Sequence, residues 1–186
     1  ARLLQSLGFE VTGVDIAAEM VAIARRRDPA GDYRVIADGD FSSLPAAGCD
    51  LVLSGFTFDN IPGWERKVWL FAGLRGLLAP AGRLVSIVST PEIYTHEWAS
   101  FTTKDFPENQ HAKTGDIVRI ITTDIMDKRP CFDIFCSEEA YVTVYSQAAL
   151  CIIRQYKPVA TGKEPYQWIN ETRIAPWTIY VLKKEI

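Results

Sequence analysis

The alternation of strand-like and helical segments constrains the fold of this chain more than any other feature. Four strand-like segments occupy residues 9–15, 33–37, 49–56 and 83–89. Two segments between them repeat apolar residues at helical spacing, and these are residues 17–27 and 64–78. Such alternation predicts an α/β fold of three layers, in which helices cover both faces of a largely parallel sheet. Val68, Phe71, Leu74 and Leu78 are the predicted inward face of the second helix.

The pattern changes after the fourth strand. Residues 91–115 are rich in aromatic and polar side chains without clear periodicity, and residues 116–135 read as two strands that turn around "MDKRP". We therefore predict that 91–135 is an inserted lid or substrate-binding excursion within a single domain, 1–186. A helix with Ser137 as its N-cap follows, and strands at 150–159 and 177–184 close the chain.

Composition narrows the classes of function. The chain has 186 residues, of which 48% are hydrophobic, and a net charge of −3. This charge gives no reason to expect a nucleic-acid or anionic-membrane partner, and no apolar run approaches the roughly 20 residues of a membrane helix. The sequence predicts a cytoplasmic protein with a small-molecule substrate and no metal. It also predicts buried, structural thiols at Cys49, Cys131, Cys136 and Cys151, which have no metal-ligand spacing.

Polar residues follow three of the predicted strands, where ligands bind in open α/β sheets. Asp15 ends the first of these strands, the loop at 38–41 follows the second, and residues 54–60 follow the third. An ionised carboxylate can accept hydrogen bonds from two ribose hydroxyls, so Asp15 is a candidate for nucleotide binding. The alternative is that Asp15 only caps the helix that starts at Ala17.

The order of these motifs resembles the class I S-adenosylmethionine-dependent methyltransferases. "GFEVTGVDIAAEM" looks like the second-strand motif of that family, "ADGDFSSLP" like its third-strand motif and "CDLVLSGFTFDNIP" like its fourth strand and following loop. "LLAPAGRLVSIVS" is similar to the passage into its fifth strand, and "APWTIYVLKK" to its antiparallel last strand. The resemblance implies a Rossmann-like fold with S-adenosylmethionine as cofactor.

The resemblance also implies roles for individual residues. Asp15 would bind the cofactor ribose, Asp40 would accept a hydrogen bond from the adenine amino group, and Phe41 would lie beside the ring. The remaining implied cofactor contacts are Ile16, Met20, Ser54, Gly55 and Phe56. The first strand of the family and its Gly-rich loop have no counterpart before Ala1. We therefore expect this domain to be N-terminally incomplete.

Methyl transfer from a sulfonium requires alignment of the nucleophile, exclusion of water and, for oxygen or protonated nitrogen, a general base. His96 and His111 are the candidates for that base, and Asp59 is a further catalytic candidate that could point at the substrate together with Asn60. His96 can instead simply bond to backbone, and Asn60 before "IP" can set up a turn. Four aromatic residues could wall a substrate pocket or only hold the long loop to the domain, namely Tyr94, Trp98, Phe101 and Phe106.

We predict methyl transfer to a small-molecule acceptor. A methyltransferase-like partner subunit without catalytic activity is the first alternative, because the Gly-rich loop has no counterpart. A less favoured alternative is an NAD(P)-dependent oxidoreductase, whose ribose-binding acid also ends the second strand. No "NPPY"-type motif follows the fourth strand, so methylation of nucleic-acid bases is not supported.

Overall fold

A computed structural model describes residues 1–185. The chain forms two compact units, Ala1–Pro45 and Ala46–Ile186. The organisation of 1–186 as one domain with an inserted excursion stays a prediction.

The first unit contains two parallel strands and two helices. In chain order these are α1 (Arg2–Ser6), β1 (Thr12–Asp15), α2 (Ala18–Arg27) and β2 (Asp32–Val35). Gly8 follows α1 with a φ of 89°, the left-handed conformation in which helices commonly end. Both predicted strands are present but shorter than the apolar segments. Val21, 3% exposed, is the only residue of 1–45 that is buried, and the structure describes all of these residues.

The second unit contains the larger sheet. Its elements are β3 (Cys49–Gly55), α3 (Trp64–Leu77), β4 (Leu78–Ser89), β5 (Phe101–Thr102), β6 (Ile117–Thr122), β7 (Cys131–Ile134), α4 (Glu138–Gln147), β8 (Leu150–Tyr156) and β9 (Trp177–Lys184). Four strands pair in the order β3-β4-β9-β8. β3 and β4 are parallel, and β9 is antiparallel to both of its neighbours, so the predicted antiparallel last strand is confirmed.

The core of this sheet is aromatic. Phe58 and Phe71 stack with ring centroids 3.7 Å apart, and Tyr145 meets Phe71 edge-on at 4.9 Å. The predicted inward face of α3 is partly wrong, because Val68 and Leu74 are only partly buried. The residues of α3 that are buried are Lys67, Leu70, Phe71 and Leu77. A charged residue therefore occupies the first position of the buried face, which hydrophobic periodicity alone does not predict.

Residues 91–135 form a small substructure, here called the inserted module. β5, β6 and β7 make an antiparallel sheet, so the predicted two-stranded excursion is confirmed and has a third, short strand. The segment before it, predicted as irregular, contains 3-10 helices at Pro91–Tyr94 and Pro107–His111. Its core consists of Ile93, Tyr94, Trp98, Val118 and Ile120.

α4 begins as predicted, because the hydroxyl of Ser137 accepts a hydrogen bond from the Ala140 N–H at 3.2 Å. Within residues 1–185, no helix combines the length and apolar character that crossing a membrane would require.

Candidate active site

Asp15 lies at the carboxyl end of β1 and is exposed. Its Oδ1 accepts a hydrogen bond from the Ala17 N–H at 2.8 Å, which is the capping contact that the sequence left open. This contact uses one of the two carboxylate oxygens, so a role in capping and a role in ligand binding are compatible. Ile16 and Met20 are both exposed on the same segment and could cover an adenine ring.

Asp40 lies in the turn after β2, also exposed, and its Oδ1 accepts a hydrogen bond from the Ser42 N–H at 2.9 Å. Hydrogen bonds from Ser42 hold the pKa of Asp40 below its ordinary value. The carboxyl group is therefore ionised at neutral pH and can only accept hydrogen bonds. Phe41, beside it, is half-buried.

The end of β3 carries the remaining predicted cofactor contacts. Ser54 is buried and Gly55 is exposed. Phe56 adopts a left-handed conformation, with φ at 60°, and its N–H donates to the Ile87 carbonyl at 2.8 Å. A non-glycine residue in this region is uncommon, and such residues concentrate at ligand sites. The Phe56 ring meets Trp177 edge-on, with centroids 5.5 Å apart.

A pocket of about 280 Å³ lies where β3 and β4 end, and we call it the strand-end pocket. All of its lining residues belong to the second unit. Its polar residues are Asp59, Asn60, Ser89, Thr122 and Asp133. The others are Phe56, Ile93, Phe101, Ile120, Cys131 and Trp177. Polar groups at strand ends facing apolar side chains from an insertion are the usual composition of a small-molecule site.

Asp59 is a buried acid of this pocket, with 4% of its surface exposed. Its Oδ2 and Oδ1 lie 3.1 and 3.3 Å from the N–H of Ser89, which donates to them. The hydroxyl of Tyr141 donates to Oδ1 at 3.2 Å. Burial raises the pKa of Asp59 to about 6, against the opposing effect of these hydrogen bonds. A carboxyl group with this pKa can accept and release a proton near neutral pH.

Asp133 is a second acid of the pocket, and the sequence did not single it out. It lies on β7, is 8% exposed and accepts a hydrogen bond from the Tyr94 hydroxyl at 3.1 Å. The side-chain amide of Asn60 donates to its other oxygen and, at 3.1 Å, to the Phe132 carbonyl. Burial raises the pKa of Asp133 as well. Phe132 is 61% exposed, so β7 buries its acid and exposes its neighbouring aromatic residue.

Lys67, on α3, is buried near these acids but does not line the pocket. Its ammonium group donates to the Phe58 carbonyl and lies 5.6 Å from the centre of the Tyr141 ring. Burial lowers the pKa of Lys67, whereas Cys136, Asp59 and Asp133 act in the opposite direction. The sequence did not single out Lys67 either, because a lysine within the helical repeat of α3 carries no signal that it is buried.

His96 is not among the residues that line the pocket. Its Nδ1 lies 3.0 Å from the Thr95 hydroxyl oxygen and 3.2 Å from the Glu92 carbonyl oxygen. These contacts match the structural alternative named above. Of the four aromatic candidates, Phe101 lines the pocket, and Tyr94, Trp98 and Phe106 are buried.

The prediction that all four cysteines are buried is wrong: Cys136 is buried, Cys49 and Cys151 are half-buried, and Cys131, which lines the pocket, is exposed. The edge strand β7 leaves this side chain open, since only β6 pairs with it. In residues 1–185 no group of three or more potential ligands could hold a metal ion.

Comparison of the sequence with known families gives one match. Residues 1–86 match the model of a family described as a methyltransferase domain. A curated relative, a demethylmenaquinone methyltransferase of Thermus thermophilus, is 37% identical over 87 residues. That alignment covers 45% of this chain and 38% of the relative, so the chain matches well under half the length of that protein.

Solved structures extend the likeness to the whole chain. The CcbJ methyltransferase of Streptomyces caelestis superposes with a TM-score of 0.68 at 15% identity, covering 100% of this chain and 79% of its own. The chain has the class I methyltransferase fold. A methyltransferase of Methanosarcina mazei described as S-adenosylmethionine-dependent gives a TM-score of 0.67 at 14% identity, covering 100% of this chain and 86% of its own.

A third structure of this methyltransferase fold contains both of its ligands. The 1,6-didemethyltoxoflavin-N1-methyltransferase of Burkholderia thailandensis, with bound 1,6-didemethyltoxoflavin and S-adenosylhomocysteine, has a TM-score of 0.56 at 13% identity. It covers 100% of this chain and 65% of its own. The Rossmann-like methyltransferase fold predicted from the sequence is thus confirmed, and the resemblance to methyltransferases in sequence is confirmed over residues 1–86.

Proposed function

We propose that the complete protein transfers the methyl group of S-adenosylmethionine to a small organic acceptor bound in the strand-end pocket. The observation that carries this proposal is the pocket itself, which lies at the strand ends of a methyltransferase fold and combines buried acids with aromatic side chains. Its volume of about 280 Å³ is near the lower end of the ligand-pocket range, roughly 300–1,000 Å³. This size favours a compact acceptor over a polymer.

The cofactor residues of the proposal are those that the family resemblance implies. Asp15 accepts hydrogen bonds from the ribose, Asp40 accepts one from the adenine amino group, and Phe41 packs on the ring. Both acids are exposed, and each has a carboxylate oxygen besides the one that its turn uses. The other proposed contacts are Ile16, Met20, Ser54, Gly55 and Phe56.

Asp59 is the proposed general base. It lines the pocket, and its pKa of about 6 suits proton transfer at neutral pH, whereas His96 lies outside the lining. The apolar side chains of the inserted module would exclude water while the acceptor attacks the methyl group in line. S-adenosylmethionine supplies the electrophilic methyl, and the residues of the pocket align the acceptor and take its proton.

Two acceptor names among the related proteins support a small organic acceptor as the first class to test. The curated relative is named for demethylmenaquinone, and one solved neighbour for 1,6-didemethyltoxoflavin. Aromatic side chains such as Phe56 and Trp177, which line the pocket, suit an acceptor that contains a ring.

Calorimetric titration of S-adenosylhomocysteine into the complete protein tests the proposal. Asp15→Asn keeps an oxygen that can accept from the Ala17 N–H but removes the charge, so it separates ligand binding from capping. We expect this variant to bind at least about 10-fold more weakly, since a hydrogen bond to a charged group contributes about 1.5–3 kcal/mol. Glu19→Gln, an exposed change of the same charge on α2, is the matched control and should bind normally.

The same titration separates the alternatives. Binding of NAD without binding of S-adenosylhomocysteine would support an oxidoreductase. A complete, folded protein that binds neither would support the non-catalytic partner subunit. Equal affinity in wild type and Asp15→Asn would remove the assignment of Asp15 while leaving the activity open to a direct methyl-transfer assay.

A further inference from the structure

The strand-end pocket holds two buried acids and no basic side chain. Asp59 and Asp133 are both among its lining residues, and none of its lining residues is lysine, arginine or histidine. The nearby cation, Lys67, donates to the Phe58 carbonyl and does not line the pocket. Negative charge in a buried site is costly unless a positive charge or hydrogen-bond donors compensate for it. Lys67 acts electrostatically on both acids from outside the lining, which gives one positive charge for two carboxyl groups. A second positive charge is therefore a property that a ligand could supply.

The two carboxyl groups have capacity for such a ligand. Each oxygen of Asp133 accepts one hydrogen bond, from Asn60 and from Tyr94. Asp59 accepts from Ser89 and Tyr141, and its Oδ2 has only the bond from the Ser89 N–H. Because an ionised carboxylate offers about four lone-pair sites, each group can accept further donors.

The rest of the pocket also suits a cation. Phe56, Phe101 and Trp177 line it, and Phe56 and Trp177 are partly exposed. The faces of aromatic rings attract ammonium groups, with tryptophan the strongest. An anionic acceptor would meet two acids and no basic side chain in the lining, and a neutral alcohol would leave the second carboxyl charge without a positive partner.

We propose that the acceptor is a small amine on a planar apolar body, and that Asp133 binds its protonated nitrogen beside Asp59. This inference rests on the proposed methyl transfer and names the substrate class of the same pocket. Asp133 selects and orients the nitrogen, whereas Asp59 takes the proton. The aromatic and aliphatic side chains of the inserted module hold the apolar body.

The ammonium group of the acceptor transfers one proton to the Asp59 carboxylate and becomes a neutral amine with a free electron pair. That pair forms a bond to the methyl carbon, and the carbon–sulfur bond breaks with its electrons moving to sulfur. S-adenosylhomocysteine leaves with a neutral sulfur, and the product carries the positive charge on its methylated nitrogen. The proton on Asp59 returns to solvent after product release.

A series of three ligands with the same ring tests this inference. The probes are 2-phenylethylamine, 2-phenylethanol and phenylacetate, titrated into the complete protein saturated with S-adenosylhomocysteine. We expect the amine to bind at least 10-fold more tightly than the alcohol, and phenylacetate to bind weakest of the three. Equal affinity for amine and alcohol, or preference for phenylacetate, would overturn the inference.

The substitution Asp133→Asn tests the proposed role of Asp133 in binding the protonated nitrogen of the acceptor. The amide keeps an oxygen to accept from Asn60, and its N–H can donate to the Tyr94 hydroxyl, so the local hydrogen bonds survive. We expect the amine to lose at least 10-fold in affinity, with the affinities for 2-phenylethanol and S-adenosylhomocysteine unchanged. Asp105→Asn, an exposed position of the same module, is the matched control and should keep the preference for the amine.

The outcomes separate this inference from the proposed function. If the wild-type protein did not bind S-adenosylhomocysteine, this result would contradict the proposed function itself. Normal cofactor binding with no preference for the amine, or an unchanged preference in Asp133→Asn, would contradict only the assignment of the acceptor class.

Discussion

The carboxyl group of Asp59 is ionised only at a cost to the stability of the fold. Burial raises its pKa from 3.8 to about 6, so between these values the folded protein keeps a proton that the unfolded chain has lost. The free energy of unfolding therefore falls as the pH rises through this window, and above it the loss due to Asp59 is complete and no longer changes with pH. The shift corresponds to about 3 kcal/mol.

Asp59→Asn should remove this dependence. Its amide oxygen can accept from Ser89 or Tyr141, so we expect the variant to gain up to about 3 kcal/mol in unfolding free energy at pH 7 and nothing at pH 3.5. Urea unfolding at a series of pH values measures the difference.

The titratable groups that act electrostatically with Asp59 are Lys67, Tyr94, Asp133, Cys136, Tyr141 and Tyr145. Asp133 also has a raised pKa, so the variant keeps some pH dependence. A constant difference between the proteins from pH 3.5 to 7 would contradict the prediction.

The positions of some candidate site residues could be predicted because the local sequence indicates where each strand ends. Asp15, Asp40 and Asp59 follow predicted strands directly, so their position at the sheet edge can be derived from local sequence. Asp133 has no such signal, because it is on the inserted module, 73 residues from its partner Asn60. The face of β7 on which Asp133 lies follows only from the strand register, in which Asp133 pairs with Val118. Hydrophobic periodicity would have predicted that Phe132 is buried instead.

The side chain of Asn109 connects the 3-10 helix Pro107–His111 to the rest of the inserted module through hydrogen bonds. Its amide donates to the carbonyls of Tyr94 and Arg119 at 3.0 and 2.8 Å, and its oxygen accepts from the Arg119 N–H at 3.3 Å. It thereby joins the 3-10 helix Pro107–His111 to β6. Because Asn109 is buried, Asn109→Ala leaves three backbone groups without partners.

We expect Asn109→Ala to lower the unfolding free energy by about 1–3 kcal/mol, as the loss of partners for buried groups predicts. Denaturant unfolding measures this change. Gln110→Ala is the control, since Gln110 is exposed and donates a single bond, to the Thr95 carbonyl; its effect should stay within about 0.5 kcal/mol. Equal effects of the two substitutions would show that the buried amide does not hold the module.

Helices and strands of the two units were predictable because their periodicity is local, and Ser137 marked the start of α4 correctly. The bounds of these elements were less predictable, since β1 covers only the last four residues of the predicted segment. The 3-10 helices of the inserted module were not predicted, because they depend on contacts such as those of Asn109, which join residues of separate elements.

At the scale of the whole molecule, the two units differ in how much they bury. The first unit has two short strands and one buried residue, whereas the second has a four-stranded sheet with an aromatic core. A two-stranded sheet has little independent stability. We therefore expect the amide hydrogens of β1 and β2 to exchange with solvent at least about 10-fold faster than those of β4 and β9, measured by mass spectrometry on the intact protein.

β8 lies at the edge of the larger sheet and pairs only with β9, so it is an internal control for the effect of an edge position on amide exchange. Protection of β1 and β2 equal to that of β4 would contradict the expected order.

The lining of the strand-end pocket comes entirely from residues 56–177, and most of it from the inserted module and the two strand ends that face it. The residues proposed to recognise ribose and adenine all precede residue 46. Under the proposed function, acceptor preference can therefore change by substitutions in one stretch of the gene while another stretch stays under constant selection for the cofactor. For protein engineering, residues 91–135 are the segment to randomise when a library of new acceptor specificities is wanted.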